Sequence, residues 1–340
     1  MIWLTWRQFR TQALITLAAL AALAAYLVIL GRGIHHYYDT EIVGCQGNAC
    51  SLAQDVFRDK YANPVTLLGL ALLVVPAIIG VFWGAPLIAR EVEAGTHRLV
   101  WNQSVTRTRW LATKLGFIAL FSLAVAGALS WLLSWAAEPF DQLIDGRFQP
   151  LNFDSRDIAP LGYALFAFAL GTTVGLLIRR ALPAMALTLA IFIAAQIVMP
   201  FAVRPHLMSP ITSSVAFSSN LMTKHQVDSL GSRGDEGSGD SSPMGIGGYS
   251  QPGAWIMSSP FLPLLKADGS AFTRGESKAC MTGDFEKDLA CLTTKNLHFN
   301  ITYHPASRYW AFQWIETSIF LVLALALVGV CFWRIPRGVN

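Results

Sequence analysis

Long apolar stretches alternate with short polar ones along most of the chain. A hydrocarbon core of roughly 30 Å needs about 20 apolar residues to be crossed as a helix. The stretches long enough to do so are 12–30, 65–88, 115–137, 159–178, 182–203 and 310–333. Backbone N–H and C=O groups must be paired in lipid, and the alternating pattern of barrel strands is missing. The pattern therefore predicts an all-α integral membrane fold with six transmembrane helices.

Composition supports a membrane protein. Hydrophobic residues make up 54% of the 340 residues and charged ones only 14%, against roughly 25% in soluble domains. The mean hydropathy is +0.46. We therefore expect membrane lipid among the partners, and no nucleic acid.

The distribution of Lys and Arg predicts the orientation. If the N-terminus is cytoplasmic, the short inside segments contain only two acidic residues, Glu91 and Glu93. Their basic residues are Arg7, Arg10, Arg90, Arg98, Arg107, Arg109, Lys114, Arg179, Arg180, Arg334 and Arg337. Because basic residues near span ends stay in the cytoplasm, we predict a multi-pass protein of the cell membrane with both termini inside.

Residues 1–11 precede the first span and place Ile2, Trp6 and Phe9 on one helical face. This spacing suits an interfacial amphipathic helix before the transmembrane region 12–203. An aromatic anchor with flanking positive charge is the alternative interpretation.

The segment 204–309 is predicted to be a large extracellular loop between helices five and six. Its middle, 228–253, is rich in Gly, Ser and Asp, which favours a flexible insert. Its flanks contain aromatic residues, so we expect a partly ordered cap. The sixth span, 310–333, is followed by a cytoplasmic tail, 334–340.

The five cysteines fit this topology. Cys45 and Cys50 lie in the first outside loop, Cys280 and Cys291 lie in the last, and Cys331 lies near the inner end of the sixth span. We predict the disulfides Cys45–Cys50 and Cys280–Cys291 and a free Cys331. A metal site is disfavoured because neither pair has a His cluster at zinc-like spacing.

Motifs of catalysis are missing from the sequence. It contains no G-x-x-x-x-G-K-[ST], H-E-x-x-H or G-x-S-x-G. We therefore expect no catalytic site, cofactor or metal in this chain.

Two polar residues within spans are candidates for function, since polar groups are costly in lipid. Glu316 either lines a substrate path or binds a cation, or it is a carboxyl group near the outer interface that pairs with Arg308 or Gln313 or is reached by water. Gln196 either contacts a ligand or makes an interhelical hydrogen bond.

The polar block between spans two and three, 90–114, is longer than a connecting loop requires. Gly95 can end one helix, Thr96 can cap a short amphipathic turn at 97–103, and Thr106 can cap the third span. The product is an elbow at the inner membrane face that presents Glu91, Glu93, Arg98, Asn102 and Gln103 to the cytoplasm. It is either a plain positive-inside loop or a docking surface, and its length favours docking.

The sequence "AREVEAGTHRLVWNQSVTRTRWLATKL", 89–115, resembles the cytoplasmic elbow of type-2 ABC exporter permeases. The shared features are the acidic pair, Gly95-Thr96, a short apolar helix, Ser104-Val105-Thr106-Arg107 and Lys114. The segment 303–334 is similar to the last span of actinobacterial members. The link at 179–183 is shorter and the segment 204–309 longer than in many members.

The resemblance implies a homodimer that binds two copies of an ABC ATP-binding subunit, which would hold ATP and Mg. The implied docking or coupling residues are Arg90, Glu91, Glu93, Gly95, Thr96, His97, Arg98, Asn102 and Gln103. The implied connecting helix contains Trp3, Trp6, Arg7 and Arg10. Candidates for the transport path are Phe82, Phe192, Gln196, Met199 and Glu316.

The function expected on this basis is export of amphipathic or hydrophobic compounds, such as drugs, lipids or peptides. The alternative is a non-transporting receptor or immunity protein whose external loop binds a peptide antibiotic.

Overall fold

A computed structural model describes residues 2–45, 48–93, 106–143, 146–223, 226–233 and 239–338. The chain forms two compact units. The first, here called the membrane unit, comprises Met1–Ile144, Gln149–Leu207 and Trp310–Asn340. The second, here called the inserted unit, comprises Asp145–Phe148 and Met208–Tyr309.

The membrane unit is helical. Its first half contains α1 (Ile2–Tyr37), a π-helical turn (Tyr38–Ile42), α2 (Asn48–Ile78), a π-helical segment (Ile79–Gly84), α3 (Ala85–Glu93) and α4 (Arg107–Leu143). It continues with α5 (Pro150–Ser155), α6 (Ala159–Ile178), α7 (Ala181–Val198), a π-helical turn (Met199–Val203) and a 3-10 turn (Arg204–His206).

The last long helix, which we label α11 because the inserted unit precedes it, spans Tyr309–Gly338. Among the described residues, six helical stretches are long and apolar enough to cross a membrane, which confirms the six predicted spans. They are Ala18–Ile42, Cys50–Glu91, Thr108–Leu143, Ala159–Ile178, Ala181–His206 and Ala306–Arg334. Because an even number of spans returns the chain to its starting side, we call the side of the termini the terminal side and the other the far side.

The N-terminal segment differs from the expected separate interfacial helix. α1 is continuous from Ile2 to Tyr37, so residues 2–11 extend the first span. The reason is local: no Gly or Pro occurs before Gly31 to interrupt the helix. The side chains of Trp3, Trp6, Arg7 and Arg10 lie outside the described part.

The backbones of spans two and four approach closely at glycines. A Cβ atom added to Gly171 would overlap the carbonyl oxygen of Gly80, and one on Gly175 would overlap that of Ala85. A Cβ on Gly84 would come within 2.6 Å of the Phe168 oxygen. Small residues permit such close helix packing in membranes. Accordingly, α6 is buried over most of its length.

The inserted unit corrects the all-α prediction, because its described residues form six strands. Its elements are β1 (Ile211–Ala216), α8 (Ser219–Thr223), β2 (Ser229–Ser232), β3 (Met244–Gly247), β4 (Trp255–Ile256), β5 (Phe261–Pro263), α9 (Arg274–Ser277), α10 (Phe285–Thr293) and β6 (His298–His304). Short 3-10 turns lie at Gly239–Ser241, Lys278–Cys280 and Ala306–Arg308. Two antiparallel sheets form, with orders β1-β6-β4 and β2-β3-β5.

The segment 228–253 was expected to be a flexible insert, yet it supplies β2 and β3. Met244 and Ile246 are 3% and 0% exposed and belong to the core of the unit, with Phe272 and Phe299. These two side chains at alternate positions of β3, with partly buried Leu230 and Tyr249, thus anchor a segment that is mostly Gly, Ser and Asp. Residues 234–238 lie outside the described part.

Both predicted disulfides are present, Cys45–Cys50 and Cys280–Cys291. Cys331 is free and buried, also as predicted.

Candidate functional site

The elbow expected between spans two and three falls on residues 94–105, which lie outside the described part. The structure therefore does not test the predicted docking residues Gly95, Thr96, His97, Arg98, Asn102 and Gln103. Both ends of the segment are described, at α3 and at Thr106.

At the start of α4, Thr106 acts as the N-cap that the sequence indicates. Its hydroxyl oxygen accepts a hydrogen bond from the backbone N–H of Arg109 at 3.3 Å. This contact satisfies one of the free N–H groups of the first turn. The position at which the third span begins is therefore fixed locally.

Glu91 forms an ion pair with Lys114, which joins α3 to α4. The Lys114 side chain is 5% exposed, and its ammonium group lies 4.8 Å from the centre of the Trp110 ring. Glu91 was expected to face the cytoplasm. It instead points at the next span, because a Lys inside the apolar packing requires a counter-ion.

Glu93 contacts the beginning of span five. Its Oε2 accepts a hydrogen bond from the backbone N–H of Ala181, the first residue of α7, at 3.2 Å. A carboxylate is favourable at a helix N-terminus, where free N–H groups and the helix dipole attract negative charge. Arg90 is exposed on the same helix, α3. The two acidic residues thus link the end of span two to spans three and five.

The candidates for the transport path have different environments. Phe82, in the π-helical segment of span two, is 52% exposed, whereas Phe192 and Met199 are buried at 2% and 5%. The side-chain amide of Gln196 is enclosed, and neither its oxygen nor its nitrogen has a hydrogen-bond partner among the described residues. The interhelical hydrogen bond considered for Gln196 is therefore not made within the described part of one chain.

Glu316 has a partner that we did not predict. It is 0% exposed, and its carboxylate binds the guanidinium of Arg204 with Nε–Oε2 and Nη2–Oε1 distances of 2.8 and 2.9 Å. Tyr163 donates its hydroxyl hydrogen to Oε1 of the same carboxylate, and Arg204 also pairs with Asp154. The expected partnership with Arg308 or Gln313 is wrong.

The two expected partners of Glu316 have other contacts. Arg308 donates to the carbonyl oxygen of Ser209 at 2.6 Å within the inserted unit. Gln313 accepts from the N–H of Ala159 at 2.9 Å and donates to the oxygen of Phe153 at 3.1 Å. Gln313 thus holds the start of α6 and the end of α5, one turn before Glu316 on α11.

Sequence reasoning missed Arg204, Asp154 and Tyr163. Arg204 follows directly on the apolar run that ends at 203, where a basic residue usually marks the end of a span. The available signal was a pair of opposite charges at adjacent span ends, Arg204 and Glu316, either of which would be costly to bury alone.

The description "ABC-2 membrane transporter related" belongs to a family model that matches residues 17–204. The match covers spans one to five and the region between α3 and α4. No curated protein and no solved structure gives a significant match. Since the family model covers more than half of the chain, the protein belongs to the ABC-2 membrane transporter related family and is an ABC-2 type permease.

Proposed function

We propose that this chain is the membrane subunit of an ATP-driven exporter in the cell membrane, with both termini cytoplasmic. The family implies an ABC ATP-binding partner. In our proposal, a homodimer of this chain binds two copies of that subunit. ATP and Mg would be bound there, because the chain has no phosphate-binding motif of its own.

The observation that carries the proposal is the pair of contacts made by Glu91 and Glu93. Docking of the ATP-binding subunit on the elbow, 94–105, would move its ends. Movement at the α3 end would pass to span three through the Glu91–Lys114 ion pair and to span five through the Glu93–Ala181 hydrogen bond. Exposed Arg90 would take part in docking with the predicted elbow residues.

For the substrate we propose amphipathic or hydrophobic compounds. In support, α7 and the turn after it expose large apolar side chains, with Ile193, Ile197 and Phe201 at 48%, 56% and 70%. Phe82 of span two is likewise exposed. Apolar surfaces with few fixed charges favour ligands of the same character. Gln196 would be the polar group of such a path.

Glu91→Gln combined with Glu93→Gln tests the coupling role. We expect the ATP-binding subunit to co-purify as with the wild type, because these carboxylates contact the chain itself. Export of a rhodamine dye from vesicles that contain the complex should fall on the order of tenfold, as expected when charged contacts worth about 1.4 kcal/mol are lost. Glu286→Gln, on the exposed face of α10, serves as the control and should not change export.

Wild-type export by the double variant would contradict the coupling role. Purification without any ATP-binding subunit would contradict the exporter itself, and is the result that the receptor alternative requires.

A further inference from the structure

Four polar side chains form a buried cluster at the far-side ends of spans four, five and six. Asp154 comes from α5, Tyr163 from α6, Arg204 from the turn after α7, and Glu316 from α11. All are between 0% and 4% exposed. None was assigned a role in the coupling mechanism above.

The contacts around the Tyr163 hydroxyl require more hydrogen atoms than the ionised groups supply. The Tyr163 oxygen lies within hydrogen-bonding distance of both Glu316 Oε1 and Asp154 Oδ1, the latter at 3.1 Å. A phenol has one hydrogen to donate, and an ionised carboxylate can only accept. If the hydrogen goes to Glu316, the contact with Asp154 is a hydrogen bond only when Asp154 carries a proton, and the converse also holds.

The charges of the cluster also indicate that one additional proton is bound. One guanidinium faces two carboxylates, so the cluster carries a net charge of −1 when both acids are ionised. Burial of an uncompensated charge is costly in protein and in membrane surroundings. One bound proton makes the cluster neutral and completes the hydrogen bonds of Tyr163.

In the described part of the chain, the groups that act electrostatically on Asp154 are Arg204, Glu316 and Tyr163. Burial raises the pKa of Asp154 from 3.8 to about 6, and the charge of Glu316 adds to the rise, whereas Arg204 and the hydrogen bond from Tyr163 oppose it. Arg156, at the end of α5, is directed to Asp141 of α4 and Asn152. On α2, Gly69 lies against Leu151 and Ser155 of α5.

We propose that Asp154, Glu316, Tyr163 and Arg204 form a proton-binding site. It takes up one proton, shared by the two carboxyl groups through the Tyr163 hydroxyl, and this proton stabilises the closed arrangement of spans four, five and six. The proton comes from water on the far side and returns there when the site empties.

A movement of span five carries Arg204 with it and is therefore linked to this proton. Separation of Arg204 from Glu316 would admit water, in which the carboxyl group of Asp154 ionises at its ordinary pKa of 3.8. Separation releases the proton, and acidification on the far side favours closure. This inference concerns the chain alone and does not depend on the ATP-binding subunit or on the direction of transport.

Infrared spectroscopy of the full chain in lipid nanodiscs tests the site without substrate or partner. The C=O band of a protonated carboxylic acid is separate from the bands of ionised carboxylates. We expect the wild type to gain one such band as the pH falls through about 6, well above the ordinary value of 3.8. Asp154→Asn and Glu316→Gln should each abolish it, because the remaining carboxylate then has Arg204 to itself.

Asp141→Asn is the matched control. Asp141 is a mostly buried acid that pairs with Arg156, so its charge is compensated by one guanidinium outside the cluster. This variant should keep the band. A wild-type spectrum without the band overturns the proposal, and so does a band that persists in both Asp154→Asn and Glu316→Gln. If one of these two variants fails to fold, the wild type and the other variant decide the question.

Discussion

Arg204 shows how one side chain can connect distant parts of this chain. Its guanidinium binds Glu316 through two nitrogens, pairs with Asp154, and lies 4.0 Å from the centre of the Phe153 ring. It is 1% exposed, so water cannot replace these contacts. Arginine suits this position because its planar group can serve two acids and a ring at once.

Arg204→Leu should lower the free energy of unfolding of the protein by about 3–5 kcal/mol, because two carboxylates would stay buried without a cation. Arg204→Lys keeps the charge but loses the two-nitrogen contact, so its effect should be smaller. Thermal unfolding of the purified chain in detergent gives the order of the variants.

Lys266→Ala is the comparison for Arg204→Leu. Lys266 pairs with Glu276 on the surface of the inserted unit, where the two side chains are 36% and 41% exposed. The loss should be much smaller than that caused by Arg204→Leu, because water and salt screen an exposed ion pair. Equal destabilisation by Lys266→Ala and Arg204→Leu would show that the buried cluster contributes no more to the free energy of unfolding than a surface ion pair.

At the level of the elements, spans two and four pack through glycine. Gly80 and Gly84 lie in the π-helical segment of span two, and Gly171 and Gly175 lie on α6. The atoms that added Cβ groups would strike are backbone atoms, which cannot turn aside as a side chain can. The distance between the two helices is therefore set by the absence of side chains.

Gly171→Ala should destabilise the protein by roughly 1–3 kcal/mol, since the new methyl group would overlap the Gly80 oxygen and force the helices apart. Gly116→Ala, within α4, is the control because, in the described part of the chain, no atom beyond the neighbouring backbone of its own helix lies within 4 Å of an added Cβ. It should be neutral or stabilise by up to about 1 kcal/mol through better helix propensity. Thermal unfolding of both variants checks the prediction, which fails if Gly171→Ala behaves like Gly116→Ala.

The elements that the sequence predicted well are those with one dominant signal. A long apolar run has few alternatives to a spanning helix, so the six spans were identified. The strands of the inserted unit were not, because Gly, Ser and Asp around Met244 and Ile246 suggested an insert without a core. The partner of Glu316 was missed because its position depends on how spans five and six pack, which hydropathy does not encode.

For the whole molecule, the buried cluster makes stability depend on pH. The pKa of Asp154 is about 6 in the folded protein against an ordinary 3.8, so the folded state binds this proton more tightly than the unfolded state. The resulting stabilisation is complete below 3.8, decreases as the pH rises to about 6, and is lost above it.

Asp154→Asn should therefore remove a pH dependence of up to about 3 kcal/mol between these two values, which corresponds to the pKa difference. The unfolding temperature of the wild type should fall as the pH rises across this range, and that of Asp154→Asn should lack this decrease. Asp268→Asn, an exposed acid with a lowered pKa, should leave the dependence in this range in place. Parallel curves for wild type and Asp154→Asn would contradict the prediction.

The π-helical segment Ile79–Gly84 sets the angular phase of the helix that follows it. A π turn accommodates one more residue than an α turn, and one residue corresponds to about 100° of rotation and 1.5 Å of rise. Conversion of this segment to a regular α-helix would therefore rotate α3 by roughly that angle about its axis. Glu91 would turn away from Lys114, and Glu93 away from Ala181. One surplus residue within the last third of span two thus determines the direction in which both acids point at its end.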